Sequence, residues 1–248
     1  MKMKYSTIFA MMLLASGLTC AQTNSADTVP KSADAGKKAD VTWVSYRNAY
    51  KAMIQFEKYG KPKHFIQNHF QVVSKTSQPL PDDLQLILVS KSMRLSLPLD
   101  AVGRASFPLL KAAYDENAEL MLNQAVTQVD FQGRISIVPR ADGVYDMADL
   151  RTACEQAQTY LKTVGDARVN GKSCVGVRFS FPKNLKQAGI SFRGADLHVH
   201  VLLVQEAAAF PDESSKAYKT ASLKFNEWPE KGQILAQQMP LAIAPVFE

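Results

Sequence analysis

Residues 84–122 read LQLILVSKSMRLSLPLDAVGRASFPLLKAAYDENAELML, and this stretch decides the fold. Leu84, Leu86 and Leu88 alternate with other residues. After a polar break, Met93, Leu95, Leu97 and Leu99 alternate again. A period of two is the signature of strands with one buried face. Residues 100–104 supply a turn in which Gly103 is the residue best able to take a positive φ. The remaining segments are expected to build onto this β core.

Working outward, His64 to Val73 and Phe131 to Pro139 read as strands. So do 189–193, 197–205, 220–225, 233–237 and 241–247. Two helices stand out. In the first, Tyr46, Ala49, Tyr50, Met53 and Phe56 share a face after a Ser45 cap, and Gly60 and Pro62 end it. The second runs from Met147 to Val164 behind Asp146. Its apolar positions 147, 150, 154, 157, 161 and 164 form one continuous stripe. Residues 108–117 read as helix or turn, and 118–122 as an apolar run of undecided type. No internal repeat is evident. The sparse βα alternation excludes a Rossmann fold or a TIM barrel. The expected class is α+β: β-rich antiparallel sheets, sandwich-like, with two amphipathic helices packed on them.

The N-terminus reads as an export signal. Lys2 and Lys4 precede the short apolar run Ile8 to Ala15, and Thr19-Cys20-Ala21 offers a cleavage site after Ala21. A lipoprotein reading through Cys20 fits less well, because Leu18 lies one place too late for a lipobox. Residues 22–40 are polar and are expected to form a flexible tether. One β-rich globular unit over 41–248 follows, with a possible subdivision near 125–130. The expected location is periplasmic or secreted. No other apolar run has the length of a membrane span.

The chain carries 29 Lys and Arg against 23 Asp and Glu. Removing the signal leaves 27 against 23, a net +4. The positive residues are scattered, so nucleic-acid binding is not expected. Cys154 and Cys174 remain, and in an oxidising compartment they can pair with each other. Two buried free thiols are the alternative.

Residues Leu99 to Pro108 (LDAVGRASFP) resemble the Asp-x-x-Gly-Arg-x-x-Phe turn of transthyretin-like and carboxypeptidase-regulatory β-sandwich modules. The similarity covers about a tenth of the chain. It implies a sandwich with a binding or scaffolding role, and no catalytic residue. Residues 114–117 and the two helices depart from a bare seven-stranded module.

Candidate chemistry is sparse. His198 and His200 fall on one face of a strand, about 6–7 Å apart, and could both reach zinc or copper. They equally suit a solvated face opposite a buried Leu197, Val199 and Val201. His64 and His69 would point to opposite faces of an uninterrupted strand. Gly171-Lys172-Ser173 precedes a strand rather than a helix, so it is no phosphate loop. There is no Gly-x-Ser-x-Gly, His-Glu-x-x-His or Cys-x-x-Cys. Asp82-Asp83, Asp115-Glu116 and Asp212-Glu213 read as solvated loop charges. Trp43 precedes the first helix, and Trp228 is a candidate sugar platform.

The expected function is therefore that of an exported non-enzymatic envelope protein, a binding or structural module of unknown ligand, with an envelope protein or a glycan as the partner classes considered. One alternative is a metal-binding protein or metal-dependent hydrolase using His198 and His200. Another is an exported inhibitor or immunity-type partner, which predicts an exposed apolar patch.

Overall fold

The computed structural model describes residues 43–76, 78–126, 128–186 and 189–248. The expected export signal, Cys20 and the expected tether lie outside them. In order, the described elements are β1 (Trp43–Ser45), α1 (Tyr46–Glu57), β2 (Ile66–Ser74), β3 (Gln85–Val89), β4 (Arg94–Pro98) and β5 (Arg104–Ala105). Next come α2 (Lys111–Asp115), β6 (Glu119–Leu122), β7 (Val129–Ile137), β8 (Val144–Asp146), α3 (Met147–Thr163) and β9 (Cys174–Pro182). The chain ends with β10 (Ile190–Gly194), β11 (Val199–Val201), β12 (Gln205–Ala207), β13 (Tyr218–Lys224), β14 (Gly232–Ala236) and β15 (Ala242–Phe247). The class is the expected β-rich α+β arrangement, with one short helix more than the periodicity showed.

The strands form four antiparallel sheets, in the orders β1-β6-β3-β4, β5-β2-β7, β11-β10-β14-β8 and β12-β13-β9-β15. The leucine alternation works as read on β3, but on β4 only Leu97 is buried and Leu95 is exposed. Leu86 and Leu88 on β3 and Leu120 and Leu122 on β6 are buried, and they pack with Phe70 and Val72 of β2 and the Tyr46, Ala49 and Met53 face of α1. Tyr46 is fully buried. Its hydroxyl donates to Pro108 O and accepts from Leu110 N at 2.8 Å, which pins the segment before α2. A second core joins the Met147, Leu150 and Cys154 stripe of α3 to Val177, Phe179 and Phe181 of β9, Phe192 of β10 and Ile234 of β14. A seam cluster holds Phe56, Ile66, Ile135, Tyr160 and Leu161, and so joins the two.

The two halves repeat one topology, which the sequence did not reveal. Each runs strand, helix, long strand and hairpin, and each closes with three further sheet strands, β5, β6 and β7 in one and β13, β14 and β15 in the other. β1-β6-β3-β4 corresponds to β8-β14-β10-β11, and β5-β2-β7 to β13-β9-β15, with β12 added at one edge. The registers agree residue for residue. In the first half Ser45, Glu119, Val89 and Arg94 lie in one row across the sheet; in the second, Asp146, Gln233, Arg193 and Val199 do. The next row is Val44, Leu120, Leu88 and Leu95 against Tyr145, Ile234, Phe192 and His200. None of these matched positions carries the same residue twice. Burial pattern is shared while identity is not, so no repeat shows in the letters.

Two local expectations change, and the 100–104 turn forms as expected. Ser45 and Asp146 stand at the helix starts in extended conformation, but neither side chain caps its helix. Asp146 Oδ1 instead accepts from Gln233 Nε2 at 2.9 Å, across the sheet. The single strand expected over 197–205 is two strands in different sheets, β11 and β12. Residues 100–104 form a turn held by its own aspartate: Asp100 Oδ1 accepts from Val102 N at 3.0 Å and Arg104 N at 2.8 Å. Gly103 has φ +77°, and a Cβ there would stand 2.5 Å from Val72 O.

Cys154 of α3 and Cys174 at the start of β9 form a disulfide, with Cα atoms 5.8 Å apart. A disulfide is compatible with an extracytoplasmic protein. Among the described residues, no helix is long and apolar enough to cross a membrane.

Candidate functional site

The structure separates the residues singled out in the sequence. His198 and His200 are both exposed, and the His200 ring lies 6.3 Å from that of Trp228. Trp228 is half-buried, its ring 4.9 Å from Phe192. His64 is far along the chain in the turn before β2, where its Nδ1 meets Gln156 at 3.4 Å. Burial lowers the His69 pKa, and Arg104 adds to the shift. Among the described residues no group of three or more His, Cys, Asp or Glu is placed to hold a metal ion.

The apolar face of β11 is not buried as expected, while the histidine face is solvated as one reading had it. His200 pairs with Phe192, a core residue, whereas Val199 and Val201 pair with Arg193 and Ser191. Leu197, Val199, Val201 and Leu203 are 74, 56, 77 and 85% exposed. Alternation separates the two faces, but the register with β10 decides which one the core could cover.

The expectation for Asp212 and Glu213 also fails: they are not merely solvated loop charges. They follow Phe210 in the β12–β13 connection and meet Arg134 of β7, whose residue exposure is 4%. Arg134 Nη1 donates to Asp212 Oδ1 at 2.6 Å, Nη2 to Glu213 Oε1 at 3.1 Å, and Nε to Gln71 Oε1 at 2.6 Å. Its guanidinium carbon sits 4.3 Å from the Phe210 ring centre. Gln71 Nε2 donates to Glu213 Oε1 at 3.1 Å and to Val102 O at 2.9 Å. At the outer end Arg168 holds Asp166, and its Nη1 lies 3.4 Å from Asp212 Oδ2. A short loop of the second half thus places two carboxylates on the polar face of the first half's β2–β7 sheet.

The adjacent carboxylates titrate apart. Burial and the negative charge of Asp212, opposed by Arg134, push Glu213 up to about 7. Burial also presses Asp212 upward, but Arg134 and Arg168 overcome it and hold Asp212 below the ordinary range. Asp212 keeps about a third of its side chain in solvent, and Glu213 about an eighth. Glu213 can therefore gain or lose a proton near neutrality, while Asp212 stays ionised.

Glu213 faces a cleft of about 410 Å³ between the halves. Gln71, Leu80, Asp82, Asp100 and Val102 line it from the first half, and Glu213, Ser215 and Tyr218 from the second. Three carboxyl side chains border it, and no Lys, Arg or His lies among its lining residues. Burial, reinforced by Glu213 and Asp100, raises Tyr218 to about 12, so its hydroxyl keeps its proton and donates to Ala101 O at 2.8 Å. Sequence reasoning missed Arg134 and Gln71 because polar residues alternating with apolar ones on a strand look like a solvent face, and it read Glu213 as a solvated loop charge. The chain matches no protein-family model, no curated protein and no solved structure.

Proposed function

We propose that this chain is an exported, non-enzymatic binding module that receives a cationic group in the cleft between its two halves. One observation carries the reading: Asp82, Asp100 and Glu213 border the cleft without a basic residue among its lining. The chain as a whole is basic, at +6, so this concentration of carboxyl groups runs against its average. An incoming ammonium or guanidinium would favour the ionised form of Glu213 and draw off its proton.

Calorimetric titration with N-acetyl-lysine methylamide and with a short oligolysine, at pH 7 in buffers of different ionisation enthalpy, tests this. Binding is expected to release up to about half a proton. Glu213→Gln is expected to abolish that release. No binding, or an equal response to the acetylated, uncharged lysine, would overturn the reading. A second reading, a module seated on another protein, is favoured by the exposed apolar residues of β11.

A further inference from the structure

β11 is the free edge of its sheet, and its exposed face is apolar. The matching strand of the first half shows how unusual that is within this molecule. By register, β4 residues Arg94, Ser96 and Pro98 correspond to Val199, Val201 and Leu203. A charge, a hydroxyl residue and a proline are devices that keep a sheet edge from pairing. In the second half all three are replaced by valine, valine and leucine. The same place in the same topology is guarded once and open once.

The backbone of the open edge is free as well. Gly194 N donates to His198 O at 2.9 Å, and Leu202 N to Ile190 O at 3.0 Å, so the even-numbered residues are bonded inward to β10. In an antiparallel ladder the inward and outward groups alternate. The amide and carbonyl groups of Val199 and Val201 therefore point away from the sheet.

Within Leu197-His198-Val199-His200-Val201-Leu202-Leu203 the exposed apolar positions mirror each other about His200, Leu197 with Leu203 and Val199 with Val201. We infer that two copies of this chain pair antiparallel through β11, about a two-fold axis at His200. Val199 then exchanges both backbone hydrogen bonds with the partner's Val201, while Leu197, whose φ of +65° takes it out of the strand, flanks the pair beside the partner's Leu203. The two His200 residues meet as a non-hydrogen-bonded pair, with Cα atoms about 4.5 Å apart. Leu203 and Val201 also line a groove of about 480 Å³ with Ile190 and Val204. The register delivers the partner's Leu197 beside it.

Two four-stranded sheets become one of eight strands, and the contact is isologous, as a closed dimer requires. Four apolar side chains and the strand edge from each copy cover on the order of 1,000 Å² in total, about the least a specific interface needs. Dissociation in the roughly micromolar range is expected.

Sedimentation equilibrium of the full chain tests the pairing, with Val199→Lys/Val201→Lys as the variant. The wild type is expected to dimerise. The variant is expected to dissociate at least 100-fold more readily with unchanged circular dichroism. Register is read separately from His200→Cys, which is expected to give a peptide disulfide-linked to its own copy under oxidation, whereas Val199→Cys is not. A wild-type chain that stays monomeric at 200 μM, roughly two hundred times the expected constant, would overturn the inference. So would a dimer that the double lysine variant leaves intact. Recovery of a different protein on β11 while the pure chain stays monomeric would overturn it in favour of a heterologous partner.

Discussion

Glu213 shows how a residue's neighbours outweigh its letter. An Asp-Glu pair in a loop rich in Ser and Pro reads as solvated, and nothing local contradicts that. The reason lies 79 residues away, where Arg134 sits on a strand face that the second half covers. Gln71, Arg104, Arg134, Ser136, Ser180 and Thr220 are all buried polar residues. Alternation identifies them as a polar face but cannot say that another part of the chain will close over it. The titration of Glu213 gives a direct test. Its folded pKa, about 7, stands above the ordinary 4.5, so across that window the folded state holds more protons than the unfolded state. Its contribution to stability therefore falls as pH rises from about 4.5 towards about 7. His69, with its lowered pKa, works in the opposite sense, so the comparison must be between variants. Urea unfolding at a series of pH values should show the stability of Glu213→Gln, relative to wild type, climbing through this window and levelling above it. A flat difference would mean that the carboxyl is not perturbed.

At the scale of elements, the helices were the most legible. The 3.6-residue stripe on α3 names five residues that the structure buries, with Val164 at the helix end exposed, and the disulfide joins Cys154 of that stripe to the start of the next strand. Closing a loop of 20 residues stabilises a fold by about 3 kcal/mol in the chain-entropy model. Cys154→Ser/Cys174→Ser is accordingly expected to lower stability by about that amount in denaturant titration. Dithiothreitol should reproduce the loss in the wild type and leave the double variant unaffected. The edge strands were the least legible. β1, β8 and β12 have three residues each and β5 only two, too short for any periodicity to register. The one long strand expected over 197–205 conceals a change of sheet, which the apolar run through 201–204 does not mark.

For the whole molecule, the repeated topology raises the question of whether the halves are energetically separate. The cluster of Phe56, Tyr59, Tyr160 and Leu161 argues that they are not. Tyr160 meets the rings of Phe56 and Tyr59 edge-on, each at 5.1 Å, and so ties α1 to α3. The chain carries two tryptophans, Trp43 at the start of the first half and Trp228 in the second. Single-tryptophan variants Trp43→Phe and Trp228→Phe therefore report on one half each. Their fluorescence transitions in urea are expected to coincide, as a single cooperative unit requires. Separated midpoints would show that the seam does not couple the halves.

The guarded edge at β4 has a consequence for growth. A unit with two adhesive edges would add copies at both ends and extend without limit, as fibre-forming sheets do. Here pairing at β11 consumes one edge of its own sheet, and Arg94, Ser96 and Pro98 keep the corresponding edge of the other sheet, β4, from adding a further copy. Polymerisation then stops after a single addition, so the repeated topology yields a finite particle instead of a filament.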